Sequence, residues 1–247
     1  MTIKAVLTDI EGTTAPVTFV AEVLFPYAAE RLEAFVRAHL NDRAVAEALA
    51  ETAELEGRKL SVDEAIATLL GWIRADRKAT PLKTLQGKIW REGYESGVIR
   101  APVYGDAVTA LKAWKARGFR LDVYSSGSVE AQILLYKHTE AGDLTPLFSG
   151  YYDTRIGPKV EPASYGAIAR EIGVAPSEIL FLSDLPREVD AALKAGLKSW
   201  RIDRALPRGT MLTDAVGVTV AADFELVDKW LSAVVAPAAH RAGTDGL

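Results

Sequence analysis

Residues 5–14 read AVLTDIEGTT. Ala5, Val6 and Leu7 form a continuous apolar run, as expected of a strand buried on both faces of a parallel sheet. The run ends in two acids one residue apart, Asp9 and Glu11, followed by Gly12 and two threonines. Neighbouring carboxylates at a strand end repel each other, and a compensating cation resolves the conflict.

Further apolar runs at 120–125, 178–183, 198–202 and 217–220 read as more buried strands. Helical patterns separate most of them. Asp106 is expected to cap a helix through Lys115, and Ser128 one over VEAQILLYKH. Pro162 opens ASYGAIAREI, with Gly173 beyond its end, and DLPREVDAALKAG follows the run at 178–183. Alternation of strand and helix predicts an α/β fold with a doubly wound, mostly parallel sheet.

Residues 19–100 break the rhythm with helical patterns and no convincing strand. Pro26 falls in a first turn, and Asp42 caps a second helix. Ser61 and Glu64 make a capping box for a third, and Thr80-Pro81 starts a fourth. The chain therefore reads as an α/β core (1–18 and 101–235), a helical cap inserted after the first strand (19–100) and a flexible tail (236–247).

Composition narrows the function classes. The 247 residues are 49% apolar and 25% charged with net charge −4, ordinary for a soluble globular protein and without a basic stripe for nucleic acid. With no cysteine, thiolate chemistry and disulfides are excluded. His39, His138 and His240 are scattered and lack metal-ligand spacing. No G-x-S-x-G or G-x-G-x-x-G occurs, and Gly87-Lys88 fails as a P-loop because Leu82 stands where the first glycine belongs. No apolar segment has signal-peptide or membrane-span length, so the reading expects a cytoplasmic location and no membrane partner.

In open α/β sheets the ligand site lies beyond the carboxyl ends of the strands. Asp9 and Glu11 fall there, as do Ser125 and Ser126 of YSSGS, and Ser183 and Asp184 of FLSDLPREVD. Lys159 of IGPKVEP precedes a helix. Taken alone, each has a structural explanation as a cap, a turn or a solvated side chain. Together they make one chemistry. Asp9, Asp184 and a backbone oxygen are hard ligands that suit Mg²⁺. The Ser125–Ser126 donors and Lys159 suit the oxygens of a phosphate. Asp9 would attack phosphorus to form an aspartyl phosphate, and Glu11 would act as general acid and then base.

The set DIEGTT, YSSGS, Lys159 and LSD resembles the haloacid dehalogenase superfamily. FVAEVLFPYA, LQGKIWREGYESG, VYSSGSVEAQILLY and YYDTRIGPKVEPASY resemble its enolase-phosphatases of methionine salvage, also called acireductone synthases. The likeness covers the chain to about residue 200. It implies a substrate, a diketo-methylthiopentyl phosphate, that is enolised and then dephosphorylated to the acireductone. It further implies one Mg²⁺ per subunit at Asp9, Glu11 (through its main-chain carbonyl) and Asp184, with Ser125, Ser126 and Lys159 holding substrate. The expected partner is this small phosphate ester and the expected state a monomer. Two stretches depart from the family pattern: Pro158 stands where relatives commonly carry histidine, and RIDRALPRG replaces a shorter R-P-G-N-like turn. The base for enolisation is not identified; Glu11 and a cap residue are both candidates. A general phosphatase without enolase activity, a metal-independent dehalogenase and a silent binding protein are the alternatives.

Overall fold

The computed structural model describes residues 2–75 and 77–234; the expected tail at 236–247 lies outside the described residues. Strands β1 (Ala5–Thr8), β2 (Arg120–Tyr124), β3 (Gly150–Tyr152), β4 (Ile179–Ser183), β5 (Lys198–Ile202), β6 (Met211–Thr213) and β7 (Thr219–Ala221) form one sheet. Its order is β3-β2-β1-β4-β5-β7-β6, parallel throughout except for the antiparallel β6–β7 pair. The α/β, mostly parallel architecture is as expected. Strands β1 and β4 are buried along their whole length. The chain first builds outward from β1 through β2 to β3, then returns to add β4 on the opposite side. The reversal point falls between β1 and β4, the place beyond the carboxyl ends where open α/β sheets bind ligands.

Strands β3 and β6 were not anticipated. Each has only three residues, too few for a pattern, and all of β6 is exposed at the sheet edge.

The chain divides into two compact units. One contains the described residues within Met1–Thr14, Tyr104–Ser126 and Leu147–Leu247, and holds the sheet. Helices α7 (Pro162–Ile172) and α8 (Pro186–Lys194) belong to it and share a core with Leu7, Tyr124, Ile179 and Phe181. The rings of Tyr165 and Phe181 meet edge to face at 5.0 Å. Helix α5 (Gly105–Ala116) lies in the same unit, as does α9 (Phe224–Val234), and Trp114 stacks on Phe224 at 5.5 Å.

The expected cap by Asp106 on α5 does not form. Tyr104 occupies that position without a side-chain bond, and Asp106 lies inside the first turn. Its carboxylate accepts from Phe224 N (2.8 Å), the first residue of α9, and from Arg204. A charged partner and a foreign helix end outcompete the local cap.

The other unit spans Ala15–Val103 and Gly127–Pro146. It is built from α1 (Phe25–Ala38), α2 (Arg43–Leu55), α3 (Val62–Arg74), α4 (Thr80–Glu95) and α6 (Val129–Lys137). Asp42 caps α2, the Ser61–Glu64 capping box starts α3, and Ser128 caps α6. A π-helical turn, Val20–Leu24, leads into α1. Leu32, Val36, Val45, Leu69, Leu85 and Ile89 fill its core. The sequence reading kept 127–146 with the sheet, whereas α6 groups with the helices. The rings of Tyr94 and His138 stack at 5.6 Å, and Arg91 pairs with Glu130, tying α4 to α6. No helix among the described residues is long and apolar enough to cross a membrane.

Phe181 is wholly buried under Tyr165. Phe181→Ala is expected to cost about 3–5 kcal/mol through lost burial and the cavity left behind, read as a lower urea midpoint by circular dichroism.

Candidate active site

Every sequence-derived site residue belongs to the sheet unit. Asp9 follows β1 and is 2% exposed. Its main-chain N–H donates to Leu182 O at 2.9 Å, which continues the β1–β4 ladder. Ile10 N–H donates to Asp9 Oδ1 at 2.8 Å and fixes the carboxylate. The loop then closes on itself, with Thr13 N and Thr14 N both reaching Ile10 O. Gly12 adopts φ +72°, and a Cβ there would fall 2.3 Å from Asp184 Oδ2. Glycine is therefore required twice, for the left-handed backbone and for room beside Asp184.

Lys159 was expected at this site, and its ammonium lies 2.6 Å from Asp9 Oδ1 and 2.7 Å from Glu188 Oε2, with the residue only 6% exposed. The backbone ahead of it is pinned from several sides. Tyr124 OH donates to Gly157 O (2.8 Å), Ser164 Oγ to Pro158 O (2.8 Å) and Tyr165 OH to Lys159 O (2.7 Å). Proline at 158 thus coexists with a lysine aimed at Asp9.

Ser125 follows β2 and is buried; its hydroxyl donates to Glu11 Oε2 at 3.3 Å. Ser126, next in the chain, is exposed. Asp184 follows β4, against Gly12. Glu188, on the first turn of α8, is the site residue that sequence reasoning missed. An acid in a helix's first turn reads as a partner of the helix dipole, which conceals its contact with Lys159. Ser183 Oγ donates to Glu188 Oε2 (2.8 Å), lies 3.4 Å from Asp9 Oδ2, and accepts from Leu185 N (3.2 Å).

Asp9 and Glu188 thus contact the Lys159 ammonium directly, and Glu11 and Asp184 lie near enough to feel its charge. Burial raises the Glu11 carboxyl, and the charge of Asp9 adds to it. Burial likewise raises Glu188, again with Asp9. Asp184 is pushed up to about 6 by burial, Asp9 and Glu188. Burial opposes the charge on Lys159, but Asp9 and Glu188 outweigh it and hold the ammonium above its ordinary value.

The surplus negative charge and all-oxygen donors suit a hard divalent cation. Among the described residues no three His, Cys, Asp or Glu side chains gather as a ready metal group. The expected set needs only two carboxylates, Asp9 and Asp184, with the Glu11 carbonyl.

Residues 3–196 match the model of the haloacid dehalogenase-like hydrolases. The enolase-phosphatase E1 of Pseudomonas aeruginosa strain UCBPP-PA14 is 57% identical over 205 residues, covering 83% of this chain and 91% of that protein. The chain belongs to the enolase-phosphatase E1 family. The family's Methylococcus capsulatus member is also 57% identical, over 203 residues, covering 82% of this chain and 89% of that one. The crystal structure of the UTR4 protein from Saccharomyces cerevisiae is similar as well, with 36% identity and a TM-score of 0.74, covering 91% of this chain and 99% of that one. Membership in this enolase-phosphatase family implies a divalent metal.

The raised Asp184 carboxyl gives a pH signature. In protein stripped of divalent cations, the folded state binds this proton more tightly than the unfolded state does. The stability contributed by Asp184 therefore falls as pH rises from about 4 to 6. Asp184→Asn is expected to remove about 1–2 kcal/mol of that fall, allowing for solvent screening. Thermal melts between pH 4 and 7 check it; identical slopes in both proteins would contradict the assignment.

Proposed function

We propose that the chain is the enolase-phosphatase of methionine salvage, converting a diketo-methylthiopentyl phosphate to the acireductone and phosphate. The observation that carries the reading is the Asp9 carboxylate, oriented by Ile10 N and the Lys159 ammonium, with the Glu11–Ser125 pair beside it. Relatives at 57% identity that are named enolase-phosphatase E1 support the substrate.

Asp9 acts as the nucleophile. One of its oxygens bonds to phosphorus, the bond from phosphorus to the ester oxygen breaks, and that oxygen takes a proton from Glu11. Burial and the charge of Asp9 raise the Glu11 carboxyl, which favours the protonated form that this donation needs. Water then attacks the phosphorus of the aspartyl phosphate and gives its proton to Glu11. The bond from phosphorus to Asp9 breaks and phosphate leaves. Lys159 and the Ser125 and Ser126 donors bind the phosphoryl oxygens. Asp9, Asp184 and the Glu11 carbonyl would hold the metal, which we assign as Mg²⁺, one per subunit. When bound it supplies Lewis-acid neutralisation of phosphoryl and enolate oxygens.

In the enolisation half, a proton leaves the carbon beside a carbonyl and one is gained at the carbonyl oxygen, so no atom is lost or added. The helical segment 19–100 is proposed as the cap domain, its apolar side chains suited to the methylthio end. We also propose a cytoplasmic location and a monomeric state, as the sequence reading expects.

With Mg²⁺, the diketo phosphate is expected to yield acireductone absorbance and free phosphate together. Equal turnover of simple sugar phosphates would reduce the assignment to a general phosphatase. Asp9→Asn is expected to lower phosphate release by roughly 10³-fold or more with the fold retained. Lys159→Ala is expected to weaken binding and slow phosphoryl transfer; unchanged kinetics in either variant would refute its role.

A further inference from the structure

The segment RIDRALPRG, which departs from the family pattern, carries a residue that no catalytic role has yet absorbed. Arg204 lies in the sheet unit, in the loop after β5. Its Nε and Nη2 both donate to Thr13 O, at 3.2 and 2.6 Å. Its Nη1 pairs with Asp106 Oδ2 at 2.7 Å, in a contact where the side chains are 16% and 10% exposed. The guanidinium stacks over the rings of Tyr104 (4.2 Å) and Phe224 (5.3 Å). The remaining contact of that Asp106 oxygen, Phe224 N, anchors the start of α9.

Thr13 O is the carbonyl on the outgoing side of the Asp9–Glu11 loop. The next carbonyl, Thr14 O, accepts from Tyr104 N at 2.9 Å. The incoming side is fixed by Asp9 N on Leu182 O. The loop from 9 to 13 is therefore held at both ends. Glu11 and Gly12, the residue packed against Asp184, lie between those anchors. A hydroxyl from Thr14 also reaches Asp9 O at 3.2 Å, so a shift at Thr13–Thr14 is passed directly to the nucleophile's own backbone.

We propose that Arg204 is a positioning residue for the phosphoryl-transfer loop: its forked grip on the Thr13 carbonyl, braced by Asp106 and two aromatic faces, holds Asp9 and Glu11 in register with Asp184. This rests on the functional reading above. A purely structural staple between the β5 loop and α9 needs only the Asp106 pair; both remaining donors are instead spent on one carbonyl of the catalytic loop. Lysine cannot reproduce that, because a single ammonium lacks the planar fork that spans Thr13 and Asp106 together.

The test compares wild type, Arg204→Lys, Arg204→Ala and Arg208→Ala on the diketo phosphate with Mg²⁺, each rate normalised to the folded fraction from a thermal melt. Arg208 pairs with Glu225 on the surface and serves as the control. Arg204→Lys is expected to keep KM within about threefold and lose about 10- to 100-fold in kcat, the cost of a misplacement near 1 Å. Methylguanidinium is expected to restore part of kcat to Arg204→Ala and to leave Arg208→Ala unchanged. If Arg204→Lys keeps wild-type kcat per folded molecule, or if methylguanidinium restores nothing to Arg204→Ala, Arg204 is a structural staple only. If wild type itself releases no phosphate, the functional reading fails and the positioning role falls with it.

Discussion

The site depends on one buried contact, the Lys159 ammonium held between Asp9 and Glu188. A lone ammonium at 6% exposure is costly, and so is a lone carboxylate at 2%. Bringing them within hydrogen-bond distance makes each tolerable. It also fixes which Asp9 oxygen is engaged: Oδ1 takes the ammonium and Ile10 N, while Oδ2 has only a 3.4 Å approach from Ser183. A carboxylate oriented on one side presents the other oxygen for chemistry.

That contact also explains the polar pins around residues 157–159. Three side chains donate to three successive main-chain carbonyls, from Tyr124, Ser164 and Tyr165. Gly157 has φ +140°, and a Cβ there would lie 2.2 Å from Ser164 Oγ. The rings of Tyr124 and Tyr165 belong to the apolar core while their hydroxyls reach the loop. Core packing and lysine placement are thus one structure. The lysine does not neutralise the whole cluster. Glu11 and Asp184 make no ion pair with it, and the site keeps a demand for positive charge that a divalent ion meets.

Sheet topology brings these pieces together. Because β2 and β4 flank β1, their carboxyl ends deliver Ser125 and Asp184 to either side of Asp9. Arg204, from beyond β5, then reaches back to the same loop. The loop after β1 is short, closes on Ile10 O and is anchored from outside at Asp9, Thr13 and Thr14. Such a loop gives little freedom for its two acids to move apart despite their repulsion.

The sequence by itself determined which residue types stand at the strand ends. Strand ends, caps and the types of residue near them are local properties, so Asp9, Glu11, Ser125, Asp184, the capping box at Ser61 and the parallel character of the sheet were all legible in short windows. Only the tertiary structure decided which of these groups meet. Glu188 was hidden because an acid in a helix's first turn looks like a local dipole partner, and its true neighbour lies 29 positions earlier. Asp106 seemed a local cap, but Arg204 and the start of α9, about a hundred residues away, claim it. Strands β3 and β6 were too short to carry a period. The physical reason is common to all four: hydrogen bonds and ion pairs depend on distance in space, and sequence spacing fixes that distance only within a turn or two of chain.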